Sequence, residues 1–310
     1  MNIKECQELI KALNNIYIYT HIHPDGDCLG SAYALKTILC KMGKKAKVVC
    51  LDTLPKYLSF IWDREEEDFE CESIITVDVA DMTLLGEFGD KKIDLAIDHH
   101  ENNRVISKNK LVMPEMAATG EIIYELGREL AEFDTYIAEC LYTAIATDTG
   151  CFKFSNANYH TFKTVAELTK YAPCGNFAYL NVPLFITKSI NQMQFESEII
   201  TNLKFFFEGK LSLSVITRDL IAKHSLTEGE TGAVEQLGKS PEGVELAVTL
   251  KERDKGYKVS LRSSENIDSS QICSMFGGGG HKRAAGCFIE GDSDTVANKI
   301  ISYIKENNIL

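Results

Sequence analysis

A chain of 310 residues, 45% apolar and 25% charged, has the makeup of a soluble globular protein long enough for two domains with separate cores. No apolar stretch approaches the roughly 18 residues that span a bilayer. The polar start Met1-Asn2-Ile3-Lys4-Glu5-Cys6 has neither a basic nor an apolar leader region, so a cytoplasmic location with no membrane partner is expected. The net charge of -12 argues against a surface that binds long nucleic acid by counterion release, and an anionic substrate would need local cations.

In chain order, apolar runs at 16–20, 46–51, 74–77 and 93–97 read as strands. Between the first two, Cys28, Leu29, Ala32, Leu35, Ile38, Leu39 and Met42 fall at helical spacing, and Gly43 can end that helix. Further helical patterns cover 119–131, 135–147 and 160–171. Repeated βα units of this kind fold as a parallel sheet covered by helices. Helical spacing returns at Ile190, Met193, Ile199, Ile200 and Leu203, as a connector over 187–209. The texture then changes to strand-like runs at 211–217, 244–250, 257–261 and 287–289, with a final helix over 294–306. The expected fold is α/β: an N-terminal parallel sheet flanked by helices (1–186), the connector, and a smaller mixed-sheet α/β domain (210–310). The ten cysteines are scattered, with no Cys-x-x-Cys pair, and several, including Cys40, Cys140 and Cys273, lie in apolar segments. Most of them read as reduced core residues.

Acids and imidazoles collect at the strand ends. His21, Asp25 and Asp27 follow the first strand, Asp78 the third, and Asp98, His99 and His100 the fourth. In a parallel sheet the carboxyl ends of the strands share one edge, so these clusters converge. Asp148, where an apolar helix meets Gly150, is a further acidic position. Taken singly, an Asp after a strand is an ordinary helix cap, which is the plain reading of Asp25 alone. His23 reads as structural and Asp81 as the cap of a following turn. Mixed imidazole and carboxylate donors suit a transition ion such as Mn²⁺ better than Ca²⁺. Two such ions about 3.5–4 Å apart can activate a water and neutralise a phosphoryl group.

With these residues in view, the chain resembles the DHH phosphoesterase superfamily, whose signature is Asp98-His99-His100. HIHPDGDCLGSA at 21–32, TVDVAD at 76–81 and TAIATDTGCFKFS at 143–155 match its other motifs in order. The resemblance implies that His21 and Asp25 hold one metal and Asp27 and His99 the other, with Asp78 bridging and Asp148 completing the set. His100 then faces the substrate phosphate or orients its partner, and Asp98 fixes an imidazole; Asp78, Asp98 and His100 form the catalytic group. Which of His99 and His100 is the ligand stays open. Two divalent ions are implied, Mn²⁺ preferred, with Mg²⁺ or Co²⁺ as alternatives. AATGEIIYEL at 117–126 and HHENN at 99–103 resemble connecting segments that put Thr119 and Asn103 beside the site or the substrate. Cys151 stands where the resemblance leads one to expect a small polar residue.

FGGGGHKRAAGC at 276–287 resembles the glycine-rich motif of the DHH-associated C-terminal domain. Amides of Gly277, Gly278, Gly279 and Gly280 would form an anion nest, with His281, Lys282 and Arg283 adding donors and Arg262 a bidentate fork. Together these imply the branch of bifunctional oligoribonucleases and pAp phosphatases. Such enzymes cleave very short RNA to mononucleotides and remove the 3′-phosphate of 3′-phosphoadenosine 5′-phosphate (pAp). The nearest alternative is a phosphodiesterase acting on pApA or a cyclic dinucleotide. A non-catalytic nucleotide-binding module is disfavoured because all six candidate metal ligands are present. A processive nuclease would want a basic track with interleaved aromatics. The sequence leaves the assembly open, a homodimer included.

Overall fold

The computed structural model describes residues 1–62, 68–232 and 234–310. The chain divides into two compact units, Met1–Thr187 and Lys188–Leu310.

The first unit opens with α1 (Ile3–Ala12), closed by a capping box in which Asn2 accepts from the Glu5 amide at 3.0 Å and Glu5 accepts from the Asn2 amide at 2.9 Å. Then come β1 (Ile16–Tyr19), α2 (Gly26–Lys41), β2 (Ala46–Val49), the single turn α3 (Ser59–Trp62), β3 (Ser73–Val77), β4 (Leu95–Asp98) and β5 (Lys110–Val112). Helices α4 (Thr119–Gly127), α5 (Thr135–Asp148), α6 (Tyr159–Leu168) and α7 (Ala178–Asn181) follow. The strands form one parallel sheet in the order β2-β1-β3-β4-β5, with Ile18 beside Val48 and Ile75, and Ile97 beside Val77. The α/β expectation holds. All five strands run the same way, so their carboxyl ends lie along one edge.

Helix α2 is buried along most of its length against α4 and α5. Its approach to α5 depends on Gly30: a Cβ built there would stand 2.4 Å from the Cys140 carbonyl oxygen. This close crossing brings the start of α2, with Asp27, toward the end of α5, with Asp148.

The second unit holds α8 (Ile190–Thr201), β6 (Lys204–Phe206), β7 (Leu211–Ile216), α9 (Arg218–Lys223), β8 (Leu246–Arg253), β9 (Gly256–Ser263), α10 (Ser269–Ser274), β10 (Gly279–His281), β11 (Ala284–Glu290) and α11 (Ser293–Glu306). Its six-stranded sheet runs β10-β11-β9-β8-β7-β6 and is antiparallel except for β7–β8. Leu246, Val248, Val259, Leu261, Cys287 and Ile289 pack with Cys273 and with Val296 and Ile300 of α11.

Several boundaries differ from expectation. The fourth strand begins at Leu95 and ends on Asp98 itself; Ile93 makes only an isolated bridge to Ser107. Helix α4 stops at Gly127 rather than Ala131, and α6 gives way after Leu168 to a 3₁₀ turn through Tyr171. Only Ile190–Thr201 of the connector is helical, and the edge strand β6 follows. All ten cysteines are free, but only Cys6, Cys28, Cys140, Cys273 and Cys287 are buried, and Cys40 faces solvent at the end of α2. Among the described residues no helix is long and apolar enough to cross a membrane.

Replacing Gly30 by alanine forces α2 away from α5 and should destabilise the protein by about 1–3 kcal/mol. Urea unfolding of the two proteins measures this, and equal midpoints would show that the helices have room to spare.

A carboxylate and imidazole cluster at the sheet edge

Each side chain reaches the edge for a local reason. His21 follows β1, and Asp25 caps α2, its Oδ1 accepting from the Cys28 amide at 3.0 Å. Asp27 sits in the first turn of that helix. Asp78 leaves β3 with a left-handed φ of 58°, held by a hydrogen bond from its amide to the Ile97 carbonyl at 3.0 Å. His99 and His100 leave β4, and Asp148 is the last residue of α5.

The donors converge on Asp78. Its Oδ2 lies 3.7 Å from His21 Nε2, while its Oδ1 lies 3.8 Å from His99 Nε2 and 3.7 Å from His100 Nδ1. His99 Nε2 is also 3.9 Å from Asp27 Oδ2 and 3.4 Å from Asp148 Oδ2. These gaps are too long for hydrogen bonds. They suit atoms arranged around an ion to which each ligand stands about 2.0–2.2 Å away. Three overlapping sets each offer ligand atoms within 4.8 Å of one another: His21, Cys28 and Asp78; Asp78, His99 and His100; Asp27, His99 and Asp148. Asp25 stands at the rim, its side chain 56% exposed and 3.9 Å from His21 Nε2.

Backbone carbonyls aim the rings. His21 Nδ1 faces the Ile22 carbonyl at 2.8 Å and His99 Nδ1 that of Met116 at 3.3 Å. Donation from Nδ1 leaves each Nε2 lone pair directed into the cluster. His100 instead turns Nδ1 to Asp98 Oδ1 at 2.8 Å. Asp98, fully buried, also accepts from Asn103 Nδ2 at 2.6 Å.

Asp27 is held hardest. Its Oδ1 accepts from Ser31 Oγ at 3.0 Å and the Gly120 amide at 2.9 Å, and its Oδ2 accepts from the Thr119 amide at 2.7 Å. Helix α4 has no cap of its own, since Ala118 offers no side-chain acceptor. Asp27 therefore caps α4 across the fold, at the positive end of the helix. Thr119 also donates its hydroxyl to Asp78 Oδ1 at 2.9 Å, so one residue restrains two carboxylates.

The electrostatics describe a site short of positive charge. Burial, then the charges of Asp78, Asp148 and Asp25, hold the Asp27 carboxyl well above the usual range. Burial, then Asp25 and Asp78, do the same to Asp148. Burial would also raise Asp78, but the imidazoles of His21, His99 and His100 around it reverse the shift. Burial works against charge on His100, and Asp98 and Asp78 overcome it, lifting the ring to about 9. Carboxylates that repel one another, with imidazoles set among them, make a donor set that fits divalent cations.

Cys28 was read from the sequence only as an apolar helix position, yet its thiol belongs to the His21 set. Burial pushes that thiol up to about 12, and it donates to the Val77 carbonyl at 3.5 Å. His23 lies outside the cluster, paired with Asp52 at 3.0 Å, and Asp81 caps a 3₁₀ turn. Beyond Asp148, residues Gly150, Cys151 and Phe152 are all left-handed, with φ of 57°, 56° and 63°.

Three of the groups expected at the substrate are tied into the fold, Asn103 beside Asp98 itself. Asn103 donates to Asp98 and to the Val79 carbonyl and accepts from the Val105 amide and Lys110 Nζ, so its amide is consumed inside the fold. The Gly277 and Gly278 amides donate to the Ser274 and Cys273 carbonyls and close α10, while Gly279 and Gly280 lie in the edge strand β10; the four do not form one nest. Arg283 Nη1 donates to the Ser264 and Ile267 carbonyls at 2.7 and 2.8 Å, tying down a loop. Arg262, half-buried on β9, donates Nη1 to the Leu261 carbonyl at 3.0 Å, and His281 is exposed on β10.

Thr119→Val should weaken divalent-ion binding by about 10-fold or more, while Thr119→Ser should retain it. Calorimetric titration with Mn²⁺ reads both, and equal affinities would remove Thr119 from the positioning of the carboxylates. His100 gives a pH prediction for metal-free protein. Its folded pKa, about 9, exceeds the unfolded value near 6.5, so its contribution to stability is complete below pH 6.5 and fades as pH rises through 9. The stability gap between wild type and His100→Gln in chelator should therefore be larger at pH 6 than at pH 10; an unchanged gap would rule out a charged His100–Asp98 pair.

Residues 15–145 match the DHH family, N-terminal domain, and residues 212–306 match the DHHA1 domain. A Thermus thermophilus protein named bifunctional oligoribonuclease and PAP phosphatase NrnA is 28% identical over 96% of this chain and 92% of its own. A Bacillus subtilis protein of the same name is 27% identical over 97% and 99%. The fold is shared with an exopolyphosphatase-related protein from Bacteroides fragilis, at a TM-score of 0.85 and 23% identity over 99% of this chain and 96% of that one. With both domains in order, and with the Asp98-His99-His100 triplet at the edge of the first sheet, the chain belongs to the DHH phosphoesterase family.

Proposed function

We propose that the protein is a cytoplasmic, metal-dependent phosphoesterase that cleaves short oligoribonucleotides to mononucleotides and converts pAp to AMP. The observation that carries the chemistry is Asp78, with one carboxylate oxygen toward His21 and the other toward His99. Support for the substrates comes from relatives of nearly equal length that bear that name.

Two divalent ions, Mn²⁺ preferred, would be held by His21, Asp25 and Asp78 on one side, with Cys28 in reach, and by Asp27, Asp78, His99 and Asp148 on the other. When bound, such ions supply a nucleophilic water at neutral pH and neutralise the phosphoryl oxygens. The chain's own groups do the rest. Thr119 and the α4 amides keep Asp27 and Asp78 in place. His100, turned by Asp98, presents a protonated ring to the substrate phosphate. Arg262, His281 and the backbone of Gly279 and Gly280 bind a further phosphate of the nucleotide. Hydrolysis adds water oxygen to phosphorus, breaks the phosphorus–oxygen bond to the ribose and leaves a proton on the departing hydroxyl.

Chelation should abolish hydrolysis of pAp and of a diribonucleotide, and Mn²⁺ should restore both. Asp78→Asn should lower turnover at least about 100-fold and reduce bound metal, since it disturbs both sides at once. Chromatography of the products decides, and full turnover in excess chelator would end the two-metal reading.

A further inference from the structure

On the second unit's sheet, the face opposite the α11 core is covered at β7 and β8 by α8 and the turn Val234–Lys239, and it opens toward β11. Along β9 and β11, Tyr257, Val259, Leu261, Ala285, Cys287 and Ile289 point into the core. The alternate residues therefore point the other way: Lys258, Ser260 and Arg262 on β9, and Ala284, Gly286, Phe288 and Glu290 on β11. The register places Phe288 beside Lys258 and Ala284 beside Arg262. Gly279 of β10 lies beside Gly286.

This face holds a shallow groove of about 710 Å³ whose lining includes Lys255, Lys258, Gly279, Gly286 and Phe288. Phe288 is 46% exposed in the middle of a seven-residue strand, while Cys287 and Ile289 on either side of it are buried. Its ring is thus not demanded by the core. Gly279 is not demanded by the fold either: a Cβ there would meet nothing within 4 Å, and its φ is not left-handed. A bare backbone beside an exposed ring lets a flat ligand lie close to the sheet. In a chain of net charge -12, Arg253, Lys255 and Lys258 gather at the same groove. Arg253 is paired with Glu228 at 3.1 Å, and Asp254, the one acid in the lining, faces Arg218 at 2.6 Å. Among the described residues Lys255 and Lys258 make no side-chain hydrogen bond or ion pair.

We propose that this face is a platform for the additional nucleotides of a single-stranded oligoribonucleotide, with Phe288 stacking a base and Lys255 and Lys258 meeting phosphates. Exposed aromatics flanked by cations on a sheet are a sequence-tolerant way to hold single strands. From Ala284, beside Arg262, to Phe288 the strand runs about 13 Å, room for a few nucleotides. Glu290, at the far end of the same face, discourages a longer tail. The inference rests on the oligoribonuclease reading, and it adds a reason for preferring short chains: Arg262 serves the substrate's first nucleotides and the Phe288 end serves those beyond.

The test uses the full chain. Binding of a fluorescently labelled pentaribonucleotide is followed by anisotropy in chelator, where hydrolysis is blocked, and hydrolysis of pAp is followed separately with Mn²⁺. Phe288→Ala should weaken pentanucleotide binding about 10-fold, Phe288→Tyr should restore it, and Lys255→Ala with Lys258→Ala should flatten its salt dependence. The kcat/KM for pAp should be unchanged in all three. Pentanucleotide affinity that is undetectable in wild type, or unaltered by Phe288→Ala, overturns the platform; so does a parallel loss of pAp turnover. Absence of hydrolysis on every substrate with pentanucleotide binding intact and Phe288-dependent would instead overturn the catalytic reading and leave the platform standing.

Discussion

The hydrogen bonds between Asp27 and the first amides of α4 are the constraint on which the metal centre depends. A buried carboxylate costs several kcal/mol unless it is paired or hydrogen-bonded. Here the compensation comes from Ser31 in its own helix and from Thr119 and Gly120, more than ninety residues away. The same contact closes the end of a helix that has no cap of its own, so α2 and α4 complete each other. Because Thr119 also reaches Asp78, one residue sets the spacing between a helix-end and a strand-end carboxylate.

The rest of the cluster follows from parallel topology. Strands β1, β3 and β4 contribute what lies just past their carboxyl ends, and the helix α5 brings Asp148 to the same edge because Gly30 lets it approach α2. The outcome is an excess of negative charge in a poorly solvated place, which is why Asp27 and Asp148 resist ionisation and why three imidazoles stand among them.

Much of this was legible in the sequence, for physical reasons. Apolar runs ending in an acid or an imidazole identify both a strand and its functional end, and the topology rule places those ends together. The unreadable part concerns polar groups whose partners are backbone atoms. Nothing in the spacing says that Asn103 is spent on Asp98 and the Val79 carbonyl, or Arg283 on the Ser264 and Ile267 carbonyls, because those carbonyls are brought near only by the finished fold. Strands β5, β6 and β10, three residues each, carry too short a pattern to register, and four glycines give no alternation at all. Helix α1 did carry a signal in Asn2 and Glu5, three apart, but polarity at the chain's start hid it. Cys28 fits the helix stripe, so its spacing carries no sign that its thiol lies beside His21.

The three left-handed residues after Asp148 bear on how far the protein can be stabilised. For an L-residue that conformation costs roughly 1–2 kcal/mol, and Cys151 and Phe152 both adopt it beside Gly150. They are held there by the Cys151 amide on the Ala146 carbonyl and by the Phe152 amide on Thr149 Oγ1. A margin of folding free energy is thus stored in the turn that ends the helix bearing a candidate ligand. Glycine in place of Cys151 would recover part of it without touching any carboxylate. That position is accordingly where a designer seeking a hardier enzyme, or natural drift toward a hotter niche, finds slack in the molecule.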